Sequence, residues 1–425
     1  MDYVPFSKRK YEPLGPKSKA LIEKTKKYSA TNYEPYPFVV SHSSGPWLYD
    51  VDGNRALDFL SAYSTILSHG LEEVLQAVEL ELRRGTDVTS RALYTEAYAE
   101  FVETLCSVTG YERVLPKSDG GSATDAALKG LLMHAGKRKI SNPNIILTNE
   151  YFHGRTISFT ASADFDPDQK AGMLINVPYI KVVDHDLNSI EQAIDENTIG
   201  VFVETHKGEG GPLFYGKDFF IGLRKLTHSK GIFLGADEIQ TGLGRCGYIM
   251  AWQEFGEDAR PDFVTLGKAL GGGVMPVSAV VGKEDYMKIF KPGTDGSTFG
   301  GNPLACRAAV ASLNAIISKD VPARSRELGN YFVSKLKDIK HLDIDHRGLL
   351  IRVGMKGIKT TKYACLEMLL GNRNPRVFMK AGHYNAEKDV AYTRIAPPPL
   401  AITKDLIDYA LDNTVIPVLK EAVYQ

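Results

Sequence analysis

Lys268 follows an apolar run and enters a glycine-rich turn, Asp262-Phe263-Val264-Thr265-Leu266-Gly267-Lys268-Ala269-Leu270-Gly271-Gly272-Gly273. An amine placed there can sit beside a ligand, lose part of its hydration and act as a nucleophile. A second apolar run, Phe233-Leu234-Gly235-Ala236-Asp237-Glu238-Ile239-Gln240-Thr241-Gly242, ends in carboxylates and a turn. Two strand ends, one offering an acid and the other an amine, are the parts of a cofactor site. A third segment, Ser118-Asp119-Gly120-Gly121-Ser122-Ala123-Thr124-Asp125, sets two glycines before alanine-rich helical sequence. Free N–H groups and the positive end of a helix dipole suit a phosphate there. The same string also reads as an ordinary capped helix, with Ser122 as the cap.

These residues need elements to hold them. Short apolar runs at 145–148, 199–203, 232–236 and 263–266 have the length and composition of buried strands. Helical patterning at 189–195 and 219–229 falls between some of them, and further helices are expected at 72–84, 94–108 and 304–317. Such alternation implies an α/β fold with a mostly parallel sheet covered on both faces. Ligands of such sheets gather beyond the carboxyl ends of the strands, where Asp237 and Lys268 would lie. Residues 47–54 read as a hairpin around the tight Asp52-Gly53 turn. The first thirty residues form a polar arm with one helical patch near 18–28.

The chain has 425 residues, too many for one compact core, and two domains around one large sheet are expected. Basic and acidic residues balance at 51 each, which gives no global field toward nucleic acid or membrane. The four cysteines are scattered, without the paired spacing of a zinc site or a disulfide framework, and no metal is expected. No apolar stretch is long enough to span a bilayer, and the N-terminus lacks a signal-like core, so a reduced, cytoplasmic setting is expected.

Three segments carry a family resemblance: Ala236-Asp237-Glu238-Ile239-Gln240-Thr241-Gly242, Leu266-Gly267-Lys268-Ala269-Leu270 and Gly296-Ser297-Thr298-Phe299-Gly300-Gly301-Asn302-Pro303. From about Tyr33 to Arg394 the chain resembles the class III aminotransferases, and within them the ornithine aminotransferases. The resemblance implies an aspartate aminotransferase-like (fold type I) large domain and a smaller α/β domain from the two chain ends. Its bounds would be 1–56 for the arm and part of the small domain, 57–317 for the cofactor domain and 318–425 for the rest of the small domain. It also implies pyridoxal 5'-phosphate as cofactor and a homodimer with shared active sites. Lys268 would bond the cofactor and carry a proton; Asp237 would hold the ring nitrogen protonated. Gly120 and Gly121 would cradle the phosphate, Phe152 would cover the ring and Gln240 would bond the ring hydroxyl. Thr298 would reach the phosphate from the neighbouring subunit.

For the substrate, the resemblance implies Tyr33, Tyr63 and Arg155 at the ornithine end, with Arg155 on the α-carboxylate. Arg394 would be masked by Glu209 until 2-oxoglutarate enters. The expected reaction moves the δ-amino group of L-ornithine to 2-oxoglutarate, giving glutamate-5-semialdehyde and glutamate. The alternatives are an acetylornithine or γ-aminobutyrate aminotransferase, an amino-acid racemase, or a non-catalytic homologue. Three stretches depart from the family pattern. His69-Gly70-Leu71-Glu72-Glu73 replaces Gly-His-x-His-Pro, Glu204-Thr205-His206-Lys207-Gly208-Glu209 replaces Glu-Pro-x-Gln-Gly-Glu, and Ser122 replaces a glutamate. These changes bear on the shape of the pocket and the choice of substrate rather than on the reaction class.

Overall fold

A computed structural model describes residues 5–86, 91–162, 170, 172–173, 175–209, 211–385 and 389–423. By its internal contacts the chain divides into two compact units. One comprises residues 1–71, 210–212 and 324–425, and the other residues 72–209 and 213–323. The expected strands and helices are present with ends shifted by a few residues, as at Thr198–Glu204, Lys217–Ser229 and Pro303–Ser318.

Among the described residues, fifteen strands form three sheets. In chain order they begin with β1 (Val40–Ser44), β2 (Trp47–Asp50) and β3 (Arg55–Asp58). The second unit contributes β4 (Arg113–Lys117), β5 (Asn144–Thr148), β6 (Ile180–Val183), β7 (Thr198–Glu204), β8 (Phe233–Asp237), β9 (Phe263–Leu266) and β10 (Ser278–Gly282). The chain ends with β11 (Asp343–Arg347), β12 (Leu350–Lys356), β13 (Arg376–Phe378), β14 (Lys380–Asn385) and β15 (Val390–Ile395).

In the second unit the strands lie in the order β4-β10-β9-β8-β7-β5-β6. β10 runs antiparallel to both its neighbours, and the remaining pairs are parallel. β5 alternates its side chains between two cores. Ile145 and Leu147 pack with Ala127 and Leu131 of the helix Gly120–Lys137, while Ile146 packs with Ile190, Phe220 and Leu223 of helices on the other face. A sheet buried on both faces tolerates only apolar strands, so the chemistry is confined to their ends.

In the first unit β2 and β3 make the expected hairpin, with Gly53 at φ 90°, and β13 extends the sheet in parallel to β3. The contact-defined units therefore keep 57–71 with the chain ends, since β3 needs β13 as its partner. The other sheet of this unit runs β11-β12-β15-β14. Phe6, in the arm, is fully buried in the core beneath these sheets with Leu57, Phe59, Phe332 and Ile351. Arg9 continues that anchorage through ion pairs to Glu367 at 3.0 Å and Glu421 at 2.6 Å. Among the described residues, no helix is long and apolar enough to cross a membrane.

Candidate active site

Three neighbouring parallel strands end in functional groups. Glu204 closes β7, Asp237 closes β8 beside it, and Lys268 follows β9 by two residues. The loops after β4 and β5 reach the same end of the sheet. They bring Gly120, Gly121, Phe152, His153 and Gly154 around a cavity of about 230 Å³ that Glu204, His206, Asp237, Ile239, Gln240, Thr241 and Lys268 complete. Of the residues expected to serve the cofactor, Gly120, Gly121, Phe152, Asp237, Gln240 and Lys268 thus share one wall. Thr298 does not; it lies in the exposed loop 296–299.

Three donors converge on the Asp237 carboxylate. Thr265 Oγ1 and the Ile239 N–H donate to Oδ1 at 3.1 and 3.0 Å, and His153 Nδ1 is 2.8 Å from Oδ2. The His153 ring is buried against Tyr151 and Phe202, and its Nε2 has no hydrogen-bond partner. The imidazole therefore has one polar contact, and that contact orients the acid. Sequence reading did not single out His153, although it adjoins Phe152; its partner lies 84 positions away. Glu204 was also missed. It accepts from the N–H groups of Phe152 and Gly208, both at 2.9 Å, and burial pushes its carboxyl up to about 7.

Lys268 adopts a left-handed backbone with φ 45°, a conformation costing a non-glycine residue roughly 1–2 kcal/mol. Such strain at a cavity-lining amine is the pattern of a functional position. At the phosphate candidate, Asp119 is the N-cap and accepts from the Ser122 N–H at 3.0 Å, while the Ser122 hydroxyl reciprocates from N3. The cap is thus Asp119 rather than Ser122, because the carboxylate reaches forward three residues and the hydroxyl reaches back. The first-turn N–H groups at Gly120 and Gly121 have no acceptor within their helix. Close packing holds the neighbouring loop to them. A Cβ on Gly154, which has φ 101°, would lie 2.9 Å from Gly121 Cα.

The departures from the family pattern each make specific bonds. Thr205 Oγ1 donates to Glu238 at 2.8 Å, and Glu238 also accepts from Ala251 N and Trp252 N, which ties down the turn after Asp237. Lys207 is buried and donates to the Asn149 carbonyl at 2.7 Å. Its backbone pairs with Leu213, and half-buried Glu209 lies in the loop between them. His206 accepts from Tyr215 N at 3.2 Å through Nδ1 and meets Glu254 at 3.1 Å through Nε2. Arg155 is exposed, with its guanidinium 5.7 Å from the Phe152 ring.

The remaining candidates lie in the first unit. Tyr33 and Tyr63 line one cavity of about 370 Å³, with Tyr36, Phe38, Phe378 and Lys380 among its walls. Fully buried Arg394, on β15, sets its guanidinium 4.7 Å from the Tyr63 ring centroid. Tyr63 belongs to a left-handed run, Ser61, Ala62, Tyr63 and Ser64, with φ of 48, 47, 60 and 77°. Asp58 secures it by accepting from Leu60 N and Ser61 N at 2.9 and 2.8 Å, and its other oxygen meets His69 Nε2 at 2.8 Å. His69, another departure, thus steadies the carboxylate that holds the Tyr63 turn.

Two features of the second unit's cavity fit pyridoxal phosphate. Gln240 and Thr241 line it, and their buried Nε2 and Oγ1 atoms have no hydrogen-bond partner, a deficit that a polar ligand there would relieve. The glycine pair at a helix N-terminus supplies the anion cradle. Similarity to known proteins agrees. The Aminotransferase class-III family model matches residues 28–415. Ornithine aminotransferase 2 of Staphylococcus aureus is 37% identical over 405 residues, covering 93% of this chain and 98% of that one. The ornithine aminotransferase of Brevibacillus brevis is 36% identical over 407 residues, covering 93% and 97%. Among solved structures, the ornithine aminotransferase from Toxoplasma gondii superposes with a TM-score of 0.85 at 29% identity over 96% of this chain and 95% of that one. Acetylornithine aminotransferase from Elizabethkingia anophelis gives 0.81 at 30% identity over 96% and 99%. An acid and an amine at adjacent strand ends, in a sheet of this order, are therefore what the family match makes them: the chain belongs to the class III aminotransferases, enzymes that depend on pyridoxal phosphate.

Proposed function

We propose that this enzyme transfers the δ-amino group of L-ornithine to 2-oxoglutarate and works as a homodimer. The supporting observation is the cavity shared by Tyr33 and Tyr63, with Arg394 packed on the Tyr63 ring. A resemblance to ornithine aminotransferases assigns the two tyrosines to the donor and Arg394 to the oxo acid. The relatives of that name at 36–37% identity point the same way.

Bound pyridoxal phosphate supplies the electron sink and carries the amino group from donor to acceptor. The chain supplies the rest. Lys268 Nζ holds the cofactor and moves the proton at the donor's δ-carbon. Asp237, aimed by His153, holds the ring nitrogen; Gln240 meets the ring hydroxyl, and Phe152 covers the ring face. The N–H groups of Gly120 and Gly121 hold the phosphate, joined by Thr298 from the neighbouring subunit. Arg155 takes the donor's α-carboxylate, so the distal amine is the one that reacts. Glu209 withholds Arg394 from that carboxylate and releases it to the oxo acid.

The test is an absorbance titration of the cofactor-loaded protein with L-ornithine and, separately, with N-acetylornithine. A change with ornithine alone, reversed by 2-oxoglutarate, upholds the proposal. A response to N-acetylornithine alone would replace it with the acetylornithine reading, and no response to either would leave only the family.

A further inference from the structure

Lys117 closes β4, and its ammonium forms an ion pair with Asp295 at the base of the loop that carries Thr298. Both side chains are only 7% exposed, although the loop beyond Asp295 lies at the surface. Lys129, on the helix Gly120–Lys137, adds a second cation 3.3 Å from the same carboxylate. A buried pair contributes little net stability, but separating it leaves a charge out of water without its partner. Such a pair therefore penalises every placement of the loop that draws the two charges apart.

The far end of the loop is fixed as well. The Gly300 N–H donates to Ser297 Oγ at 2.9 Å, and Asn302 Nδ2 donates to the Phe299 carbonyl at 2.7 Å. Asn302 also caps the helix Pro303–Ser318 by accepting from the Ala305 N–H at 3.0 Å. A Cβ on Gly300 would lie 3.1 Å from the Pro116 carbonyl oxygen, and one on Gly301 3.0 Å from the Tyr98 ring. The loop is thus seated on β4 at Pro116 and Lys117 and held at both ends. Between those ends Thr298 and Phe299 are exposed. Ordering a surface loop costs conformational entropy, and here the bonds that offset it flank Thr298.

We propose that the Lys117–Asp295 pair is the anchor that places Thr298 for the neighbouring subunit's phosphate, which makes Lys117 and Asp295 positioning residues acting across the dimer. This rests on the homodimer reading, in which Thr298 serves the other chain's cofactor. Lys117 also precedes the turn into its own cradle: Ser118 Oγ is 3.5 Å from Ser297 Oγ, and Asp119 caps the cradle helix. A local role would act on the chain's own cofactor, whereas an anchoring role acts on the neighbour's. Heterodimers of two differently tagged full chains separate the two. One chain carries Lys268→Ala, so each dimer has one site that bonds the cofactor through lysine. The absorbance of that bonded cofactor is followed during titration with pyridoxal phosphate.

With Lys117→Met on the Lys268→Ala chain, the lysine-bearing site receives the altered loop, and its cofactor Kd is expected to rise about tenfold. With Lys117→Met on the lysine-bearing chain, that site receives an unaltered loop, and its Kd should move less than about twofold. Lys117→Arg, which keeps the charge, restores most of the affinity. Asp295→Asn gives the same asymmetry, and decides the matter alone if Lys117→Met chains do not dimerise. Equal shifts in the two arrangements, a larger shift when Lys117→Met shares a chain with Lys268, or no shift in either would overturn the proposal. Sedimentation of the wild type tells the two failures apart. A monomer overturns the homodimer reading and the anchor together, while a dimer with any of those results overturns the anchor alone.

Discussion

The two units place charge in opposite ways. At the end of the seven-stranded sheet the ionisable groups are buried and held by short-range donors fixed in the backbone. Asp237 takes the Ile239 N–H, Glu204 takes those of Phe152 and Gly208, and Glu238 takes those of Ala251 and Trp252. In the first unit, Lys380 and Arg394 meet at the ring and hydroxyl of Tyr63, and long side chains set the geometry. Backbone donors in the turns that follow the strands stay in place when a side chain is exchanged. Cations on long stems can move. Under the proposed function, the turns at the sheet end would hold the reaction type, and single substitutions around Tyr63 would adjust substrate choice.

Removing groups from the two regions should therefore have unequal effects. The largest effect belongs to Lys268→Ala, expected to lower turnover by at least about 10²–10⁴-fold while cofactor is still retained. Steady-state rates and the cofactor absorbance of the purified variant check it, and wild-type rates would refute the assignment. His153→Leu comes next. Loss of one bond to the Asp237 carboxylate, worth about 1.5–3 kcal/mol, should cost roughly 10–100-fold in kcat with donor KM nearly constant. A change in KM alone would show that His153 serves packing only.

Glu209→Ala should act on selectivity instead. The ratio of kcat/KM for an α-amino donor such as glutamate over ornithine is expected to rise about tenfold. An unchanged ratio would remove Glu209 from the control of Arg394.

The smallest effect concerns stability against pH. Burial raises both Glu204 and Glu238 to about 7, above the ordinary carboxylate value near 4.5. Between those values the native state keeps protons that the unfolded chain releases, so these two groups make stability fall as pH rises from about 4.5 to 7. Burial lowers His185 to about 3, and that group has the opposite slope below 6.5. A direct comparison isolates the carboxylate. Relative to wild type, Glu204→Gln should be more stable at pH 8 than at pH 5, on the order of 1 kcal/mol by urea unfolding. Equal effects at the two pH values would mean that Glu204 is ionised across the range.

Lys268 and Asp237 were legible in sequence because each follows an apolar run of strand length, and a doubly covered sheet leaves chemistry only at such ends. The lower-ranking partners were not. His153 acts on Asp237 across 84 residues, and Lys380 meets Arg394 only once β14 is in register with β15. Neither relation leaves a local pattern. The Asp119 cap was nearly legible, since Asp119 and Ser122 stand at capping-box spacing, but spacing alone does not say which side chain caps. The turn at Ser61–Ser64 was hidden altogether, because four residues without a glycine give no signal for left-handed backbone.

The contact between Gly154 and Gly121 has a consequence for how this enzyme can be diversified. A side chain at Gly154 would meet both an unfavourable φ of 101° and the backbone of Gly121, while a Cβ added at Gly121 would lie 3.3 Å from Asp119 Oδ1. Deleting bulk on one side does not open the other, since neither glycine has any to lose. In a combinatorial library Gly154 is therefore the fixed locus, and substitution at Gly121 needs the Asp119 side chain to give by a few tenths of an ångström. Variation introduced at His206 and Thr241 would explore the same cavity with the cradle intact, and screening effort belongs there.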